Sequence, residues 1–171
     1  MEMKDIFSNV NDQLKFAEAK NAALIAYNGL ITFGVIRLLN PSNNPIEGFQ
    51  AFCLLLFLAL CTFSLSRALL SFFPKLSNLL PAPKQSSSNN IIFFGDLKDM
   101  TAHRFLNLYF EDQIKNEDRK AEWTRIEADL ANQIIINSGI AFRKFTAFQT
   151  ASLVSLIATI FGALIILSII L

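Results

Sequence analysis

Three long apolar stretches dominate the hydropathy pattern of this 171-residue chain. They run from Asn21 to Leu39, from Gly48 to about Phe73, and from Thr146 to Leu171, and the last contains no charged side chain. As a helix, each stretch is long enough to cross the hydrocarbon core of a bilayer, which is about 30 Å thick. A surface helix of a soluble domain would carry a polar face, and the last stretch has none. The pattern therefore predicts three transmembrane helices.

The segments between these stretches are polar and predict helices, turns and one linker. The predicted fold is all-α, an integral membrane protein with three transmembrane helices and a small cytoplasmic helical module. The predicted boundaries are 1–20 for an N-terminal amphipathic helix, 21–74 for a transmembrane hairpin, 75–90 for a flexible linker, 91–145 for the helical module and 146–171 for the last transmembrane helix. The linker is predicted from two prolines followed by a Ser/Asn run, which offers nothing to bury.

The module should contain two helices. Asp96 is a residue type that caps helix N-termini, so the first helix is predicted from Leu97 to about Lys115. The second is predicted to begin near Ala121, because apolar residues follow at three- and four-residue spacing. Those residues are Trp123, Ile126, Leu130 and Ile134. Gly139 is the one weak point before the last crossing, so a continuous helix and a break there both stay open.

Orientation follows from the basic residues, which accumulate in cytoplasmic segments. Lys4, Lys15 and Lys20 precede the first crossing, and ten Lys and Arg residues lie between positions 75 and 144. The turn between the first two crossings has none. We therefore expect a cytoplasmic N-terminus, a cytoplasmic middle region and a C-terminus on the opposite side.

The sequence offers little for catalysis. His103 is the only histidine, and no second metal ligand lies near it at a suitable spacing. Cys53 and Cys61 lie eight residues apart in a predicted membrane helix, too far to bridge each other. No glycine-rich phosphate loop occurs, and a net charge of +1 gives no field for a nucleic-acid polymer. These features predict a protein that is not an enzyme and has no catalytic residues, metal or cofactor.

Polar residues inside the apolar helices are the unusual feature. They are Asn21 and Asn28 in the first crossing, and Gln133, Asn137 and Lys144 in the last helix. In lipid such groups seek hydrogen-bond partners on other helices. We expect them to act as interhelical contacts and to favour a homo-oligomer. The alternative is a polar pore lining that forms when the helices rearrange.

Three segments carry a resemblance to a known family: FAEAKNAALIAYNGL, IIFFGDL and QIIINSGIAFRKF. From Phe16 to about Ser168 the chain resembles the Pycsar transmembrane effectors. The resemblance implies a bacterial antiphage protein in the inner membrane. It also implies an activating ligand, cyclic UMP or cyclic CMP, which a partner cyclase makes and to which the effector responds by impairing that membrane. The competing hypothesis is a membrane anchor or scaffold subunit whose cytoplasmic helices recruit a partner protein.

An anionic cyclic nucleotide needs positive charge and a surface for its base. Lys98 and Arg104 could supply the charge, and Phe94 or Tyr109 could stack on the pyrimidine. Backbone N–H groups at the start of the Asp96 helix could contact the phosphate. The alternative is that Phe94 and Tyr109 form the small core of the module.

Overall fold

The computed structural model describes residues 1–39, 48–73, 89–111 and 123–170, with the side chains of 169 and 170 excepted. The helices are α1 (Met3–Leu38), α2 (Gly48–Leu70), α3 (Phe94–Leu97), α4 (Ala102–Glu111) and α5 (Arg125–Ile170). No strand occurs in these described ranges, so the predicted all-α class is confirmed. The predicted linker as far as Ser88, the turn before Gly48 and the charged break near 116–120 lie outside the described residues.

Three of the helices are long and apolar enough to cross a membrane, which confirms the predicted number. They are Met3–Leu38, Gly48–Leu70 and Arg125–Ser168. Helix α5 is continuous through Gly139, where a Cβ would meet no atom within 4 Å. It begins with a capping box, because Thr124 Oγ1 accepts from the Glu127 N–H at 3.3 Å while the Thr124 N–H donates to the Glu127 carboxylate at 2.6 Å.

The chain divides into two compact units. One, which we call the polar unit, comprises Met1–Ala17 and Pro74–Lys144. The other, which we call the membrane unit, comprises Glu18–Phe73 and Phe145–Leu171. Helices α1 and α5 each supply residues to both units.

The polar unit has one hydrophobic core among its described residues. Helices α1, α4 and α5 and the segment around α3 all contribute to it. The buried members are Met3, Ile6, Val10, Leu97, Met100, Phe105, Leu106, Ala131 and Ile134. Such burial, at roughly 25 cal/mol per Å² of apolar surface, is what holds this small unit together.

One prediction about the polar unit is wrong. Asp96 does not cap a helix from Leu97, since its own N–H donates to Phe93 O at 3.0 Å inside the short α3 turn. The next helix starts at Ala102, and Thr101 Oγ1 accepts from the Arg104 N–H at 3.3 Å. On α5, Ile126 is 78% exposed, whereas Ala131 and Ile134 are buried in the core.

The membrane unit is a three-helix bundle whose contacts follow a heptad-like repeat. Asn28 on α1 contacts Ser155 on α5, and seven residues later Val35 lies beside Gly162. On α2 the same two levels are occupied by Ser64 and then by Phe57, seven residues earlier. Helices α1 and α5 are therefore parallel within this unit, and α2 runs antiparallel to both. Such direction alternation is what three successive crossings require.

Small and apolar residues fill the other levels of the membrane bundle. Leu24, Ala68 and Ala151 form one buried cluster. A second contains Val35, Leu39, Cys53, Phe57, Cys61, Ala158 and Ile165. Both cysteines are free thiols, buried between helices rather than facing lipid. Small side chains at these contacts let helices approach closely, which drives association in lipid.

Candidate functional site

A connected set of polar contacts, in which each serine hydroxyl donates one hydrogen bond, joins the three helices of the membrane unit at one level. Asn28 Nδ2 donates to Ser64 Oγ at 3.1 Å, and Ser155 Oγ donates to Asn28 Oδ1 at 3.0 Å. Ser64 Oγ lies 2.7 Å from Ser155 Oγ and also donates to Ala151 O at 2.8 Å. All three side chains are buried. We call Asn28, Ser64 and Ser155 the polar triad.

The polar triad leaves the Asn28 amide well satisfied within one chain. Its second N–H donates to Leu24 O at 2.9 Å, so both donors and the acceptor are used. An unpaired amide in hydrocarbon would be costly, and here no second copy is needed to prevent that cost. The homo-oligomer stays a prediction, and Asn28 does not supply the reason for it.

The other predicted membrane positions have different surroundings. Asn21 is fully buried in the membrane unit. In the polar unit, Asn137 Nδ2 donates to Asn11 Oδ1 at 2.8 Å, which joins α5 to α1. Lys144 is buried at 9% exposure, whereas Gln133 is exposed and does not share the buried face of α5. On α5 the predicted polar positions therefore have three different settings: an interhelical hydrogen bond for Asn137, a buried position for Lys144 and an exposed one for Gln133.

Two of the four predicted ligand residues come together in one turn. The Lys98 N–H donates to Phe94 O at 3.1 Å, and Phe94 packs partly buried against the core. Lys98 Nζ is paired with the Asp99 carboxylate and lies 4.4 Å from the centroid of the Phe142 ring. The Lys98 charge is thus held between a carboxylate and an aromatic face, a cation–π arrangement.

The remaining two predicted residues lie on α4. Arg104 Nη2 donates a hydrogen bond of 3.2 Å to Asn89 Oδ1 at the surface of the polar unit. Tyr109 stacks on Phe105 at 6.2 Å between centroids, and its hydroxyl donates to Met1 O at 3.4 Å. These contacts favour a packing role for Tyr109, and Arg104 is the member of the four best placed to meet an anion.

Several residues of these sites could not be singled out in the sequence. Ser64 and Ser155 complete the polar triad, and the Phe142 ring makes the cation–π contact with Lys98. A serine in an apolar helix gives little signal, because its hydroxyl can bond a carbonyl of its own helix. The one signal in the sequence is a four-residue spacing, which places Ser155 on the same helix face as Ala151 and Ser64 on the same face as Ala68.

His103 packs against an aromatic side chain of the polar unit. Its ring makes an edge contact with Trp123 at 5.1 Å between centroids, and Nδ1 lies 3.3 Å from the Asn107 amide. In the part of the chain that the structure describes, no group of three or more His, Cys, Asp or Glu residues could hold a metal ion.

The fold and the apolar bundle define a membrane protein with three candidate spans. A family model for the Pycsar effector protein domain matches residues 2–171, and the chain therefore belongs to the Pycsar effector family, whose members are antiphage defence effectors. The chain is also 32% identical over 155 residues to the Pycsar effector protein RsPycTM of a Rhizobium species, covering 88% of this chain and 83% of that protein. No solved structure matches this chain.

Proposed function

We propose that this protein responds to a cyclic pyrimidine mononucleotide, cyclic UMP or cyclic CMP, by impairing the bacterial inner membrane. A partner cyclase would make the nucleotide on infection, and loss of membrane integrity would stop the cell before phage matures. The observation that carries the proposal is the family match, which covers both the polar unit and the membrane unit.

The division of the chain supports a separation of roles. The polar unit carries exposed polar and basic side chains around a small core, which suits contact with a charged soluble ligand. The membrane unit buries its polar triad among apolar layers, so a rearrangement of its helices would bring polar groups toward lipid or water. The ligand would act by favouring an arrangement that binds it better.

The direct test is a membrane-potential measurement. Full-length protein in liposomes holding a potassium diffusion potential should depolarise them when cyclic UMP or cyclic CMP is added, with cyclic AMP as the control. A membrane anchor or scaffold would leave the potential unchanged with all three nucleotides. That result would overturn the proposed function.

Arg104→Ala tests the proposed anion contact. We expect the variant to insert normally and to lose at least about tenfold in nucleotide sensitivity, because a charge-assisted hydrogen bond contributes about 1.5–3 kcal/mol. The matched control is Arg125→Ala, since the Arg125 side chain is 95% exposed and its Nε lies as far as 4.0 Å from the Asp129 carboxylate. A dose–response curve for Arg104→Ala that overlays the wild type would remove Arg104 from the site.

Orientation is a separate prediction. We expect a cytoplasmic N-terminus and a periplasmic C-terminus, because basic residues flank the proposed inner side of each span. Alkaline phosphatase fused after Ser168 should be active, and the same enzyme fused after Gln85 should be inactive. Activity of the Gln85 fusion would contradict the three-crossing orientation.

A further inference from the structure

A positive charge lies inside one of the candidate membrane spans. Arg67 is half-buried on α2, within the span Gly48–Leu70. Its neighbour Ala68 is fully buried and packs with Leu24 on α1 and Ala151 on α5. Ala151 lies about 7.5 Å along the helix axis from the start of the uncharged terminal run. The Arg67 backbone is therefore at a level of the membrane unit where α5 carries no charge.

The surface of α2 around Arg67 is apolar. Phe63 and Leu70 lie about one helical turn away on either side of Arg67, on the same face. They are 50% and 56% exposed. Exposed apolar side chains on a membrane span contact the acyl chains of lipids. Arg67 thus begins within a surface that suits hydrocarbon.

Lys20 lies at the same end of the membrane unit as Arg67. It is the last charged residue before the uncharged stretch of α1, a position typical of the interfacial end of a span. Its Nζ lies 5.7 Å and 5.3 Å from the centroids of the Phe145 and Phe148 rings. Lys20 precedes Leu24, which is at the level of Arg67, by about 6 Å along the axis. The Arg67 backbone is therefore about one helical turn deeper than Lys20.

Arg67 has no partner of opposite charge in the part of the chain that the structure describes. There it takes part in none of the ion pairs, hydrogen bonds or ring contacts. By sequence, the membrane unit contains two acidic residues, Glu18 and Glu47, and Glu47 directly precedes the opposite end of α2. A guanidinium stays protonated in proteins and carries five N–H donors, so at this depth it needs an anionic acceptor.

We propose that Arg67 binds the phosphate of a membrane phospholipid. The planar guanidinium matches phosphate oxygens and contacts two of them at once. Its methylene stem can lie along the apolar surface of α2 while the charged group extends toward the headgroups, and a lipid phosphate can sink to meet it. The exposed Phe63 and Leu70 side chains suit the acyl chains of the same lipid. This contact does not depend on the proposed response to a nucleotide.

Native mass spectrometry of the full chain tests the contact. Protein released from detergent micelles that contain dioleoylphosphatidylglycerol should carry this lipid as an adduct, and a titration gives its dissociation constant. We expect Arg67→Gln to weaken lipid binding at least about tenfold, because glutamine is polar but lacks the charge and the two parallel donors. The matched control is Arg125→Gln, since the Arg125 side chain is 95% exposed on the polar unit, and it should bind the lipid as the wild type does.

Three results would overturn the proposal. They are a wild-type chain without the lipid adduct, equal dissociation constants for Arg67→Gln and the wild type, and displacement of the lipid by an equal concentration of inorganic phosphate. If Arg67→Gln does not fold by circular dichroism, Arg67→Lys takes its place. Lysine keeps the charge but not the planar fork, so lipid binding should weaken by a smaller factor, and an unchanged dissociation constant would again overturn the proposal.

Discussion

Replacing Gly162 with leucine is expected to open the membrane unit. A Cβ at this position would already lie 3.1 Å from the Phe57 ring and 3.4 Å from Val35. Phe57 is fully buried, so its ring cannot move aside without displacing other side chains of the membrane unit. Three further carbon atoms would force α5 away from the other helices, at a cost of about 3 kcal/mol or more in the free energy of unfolding.

The two buried cysteines provide a local measurement of this effect. Cys53 and Cys61 are 1% and 4% exposed and are the only thiols in the chain, so a maleimide in detergent solution labels them only when the membrane unit opens. When opening is fast relative to labelling, the rate follows the open population. A loss of about 3 kcal/mol corresponds to roughly a hundredfold faster labelling.

Gly34→Leu is the matched control for this substitution. It lies in α1 of the same unit, and a Cβ there would meet no atom within 4 Å. Both substitutions raise helix propensity by a similar amount, so their difference isolates the packing at Gly162. We expect the labelling rate of Gly34→Leu to match that of the wild type. Equal rates for the two variants would show that α5 does not pack closely on Phe57.

The membrane spans were predictable because the hydrocarbon core of the bilayer excludes charge from the middle of a span. That property is visible in one dimension, as the uncharged run from Thr146 shows. Which helix contacts which is not visible in the same way. Asn28 needs a hydrogen-bond partner in lipid, but the sequence does not say which helix supplies it. The two serines that do so, Ser64 and Ser155, could equally have bonded carbonyls of their own helices.

Helix starts in the polar unit were less predictable, for a different physical reason. Asp96 and Thr101 are both good capping residues and lie five positions apart, so local propensity does not choose between them. Leu97 at the end of α3 and Met100 in the turn before α4 are both buried in the core, and such tertiary burial is not visible in the local sequence.

For the predicted ligand residues, the sequence indicated the type of side chain but not its neighbours in the fold. A basic residue beside an aromatic one suggested an anion site, and the structure gives Lys98 a carboxylate and a ring as neighbours. The sequence could not reveal the contact with the ring, because Phe142 is 44 positions from Lys98. The surface position of Arg104 keeps it as the residue to test first.

Asn28→Leu is expected to destabilise the membrane unit without dissociating an assembly of chains. The substitution removes the two hydrogen bonds that join α1 to Ser64 and Ser155. Hydrogen bonds between membrane helices contribute about 0.6–1.7 kcal/mol each, so a loss of about 1–3 kcal/mol is expected. Cysteine labelling should accelerate by roughly five- to 150-fold.

A double-mutant cycle with Ser155→Ala identifies the cause. Because Ser155 Oγ donates to Asn28 Oδ1 at 3.0 Å, the two substitutions remove a shared interaction, and their effects on the free energy of unfolding should be less than additive. Ser152→Ala is the control, since that exposed hydroxyl donates within its own helix, to Gln149 O at 3.1 Å. Additive effects of the two substitutions on the free energy of unfolding would show that the triad does not act as a unit. A drop in crosslinking between chains at unchanged labelling rate would instead place the partner of Asn28 on another copy, contrary to the pairing seen within this chain.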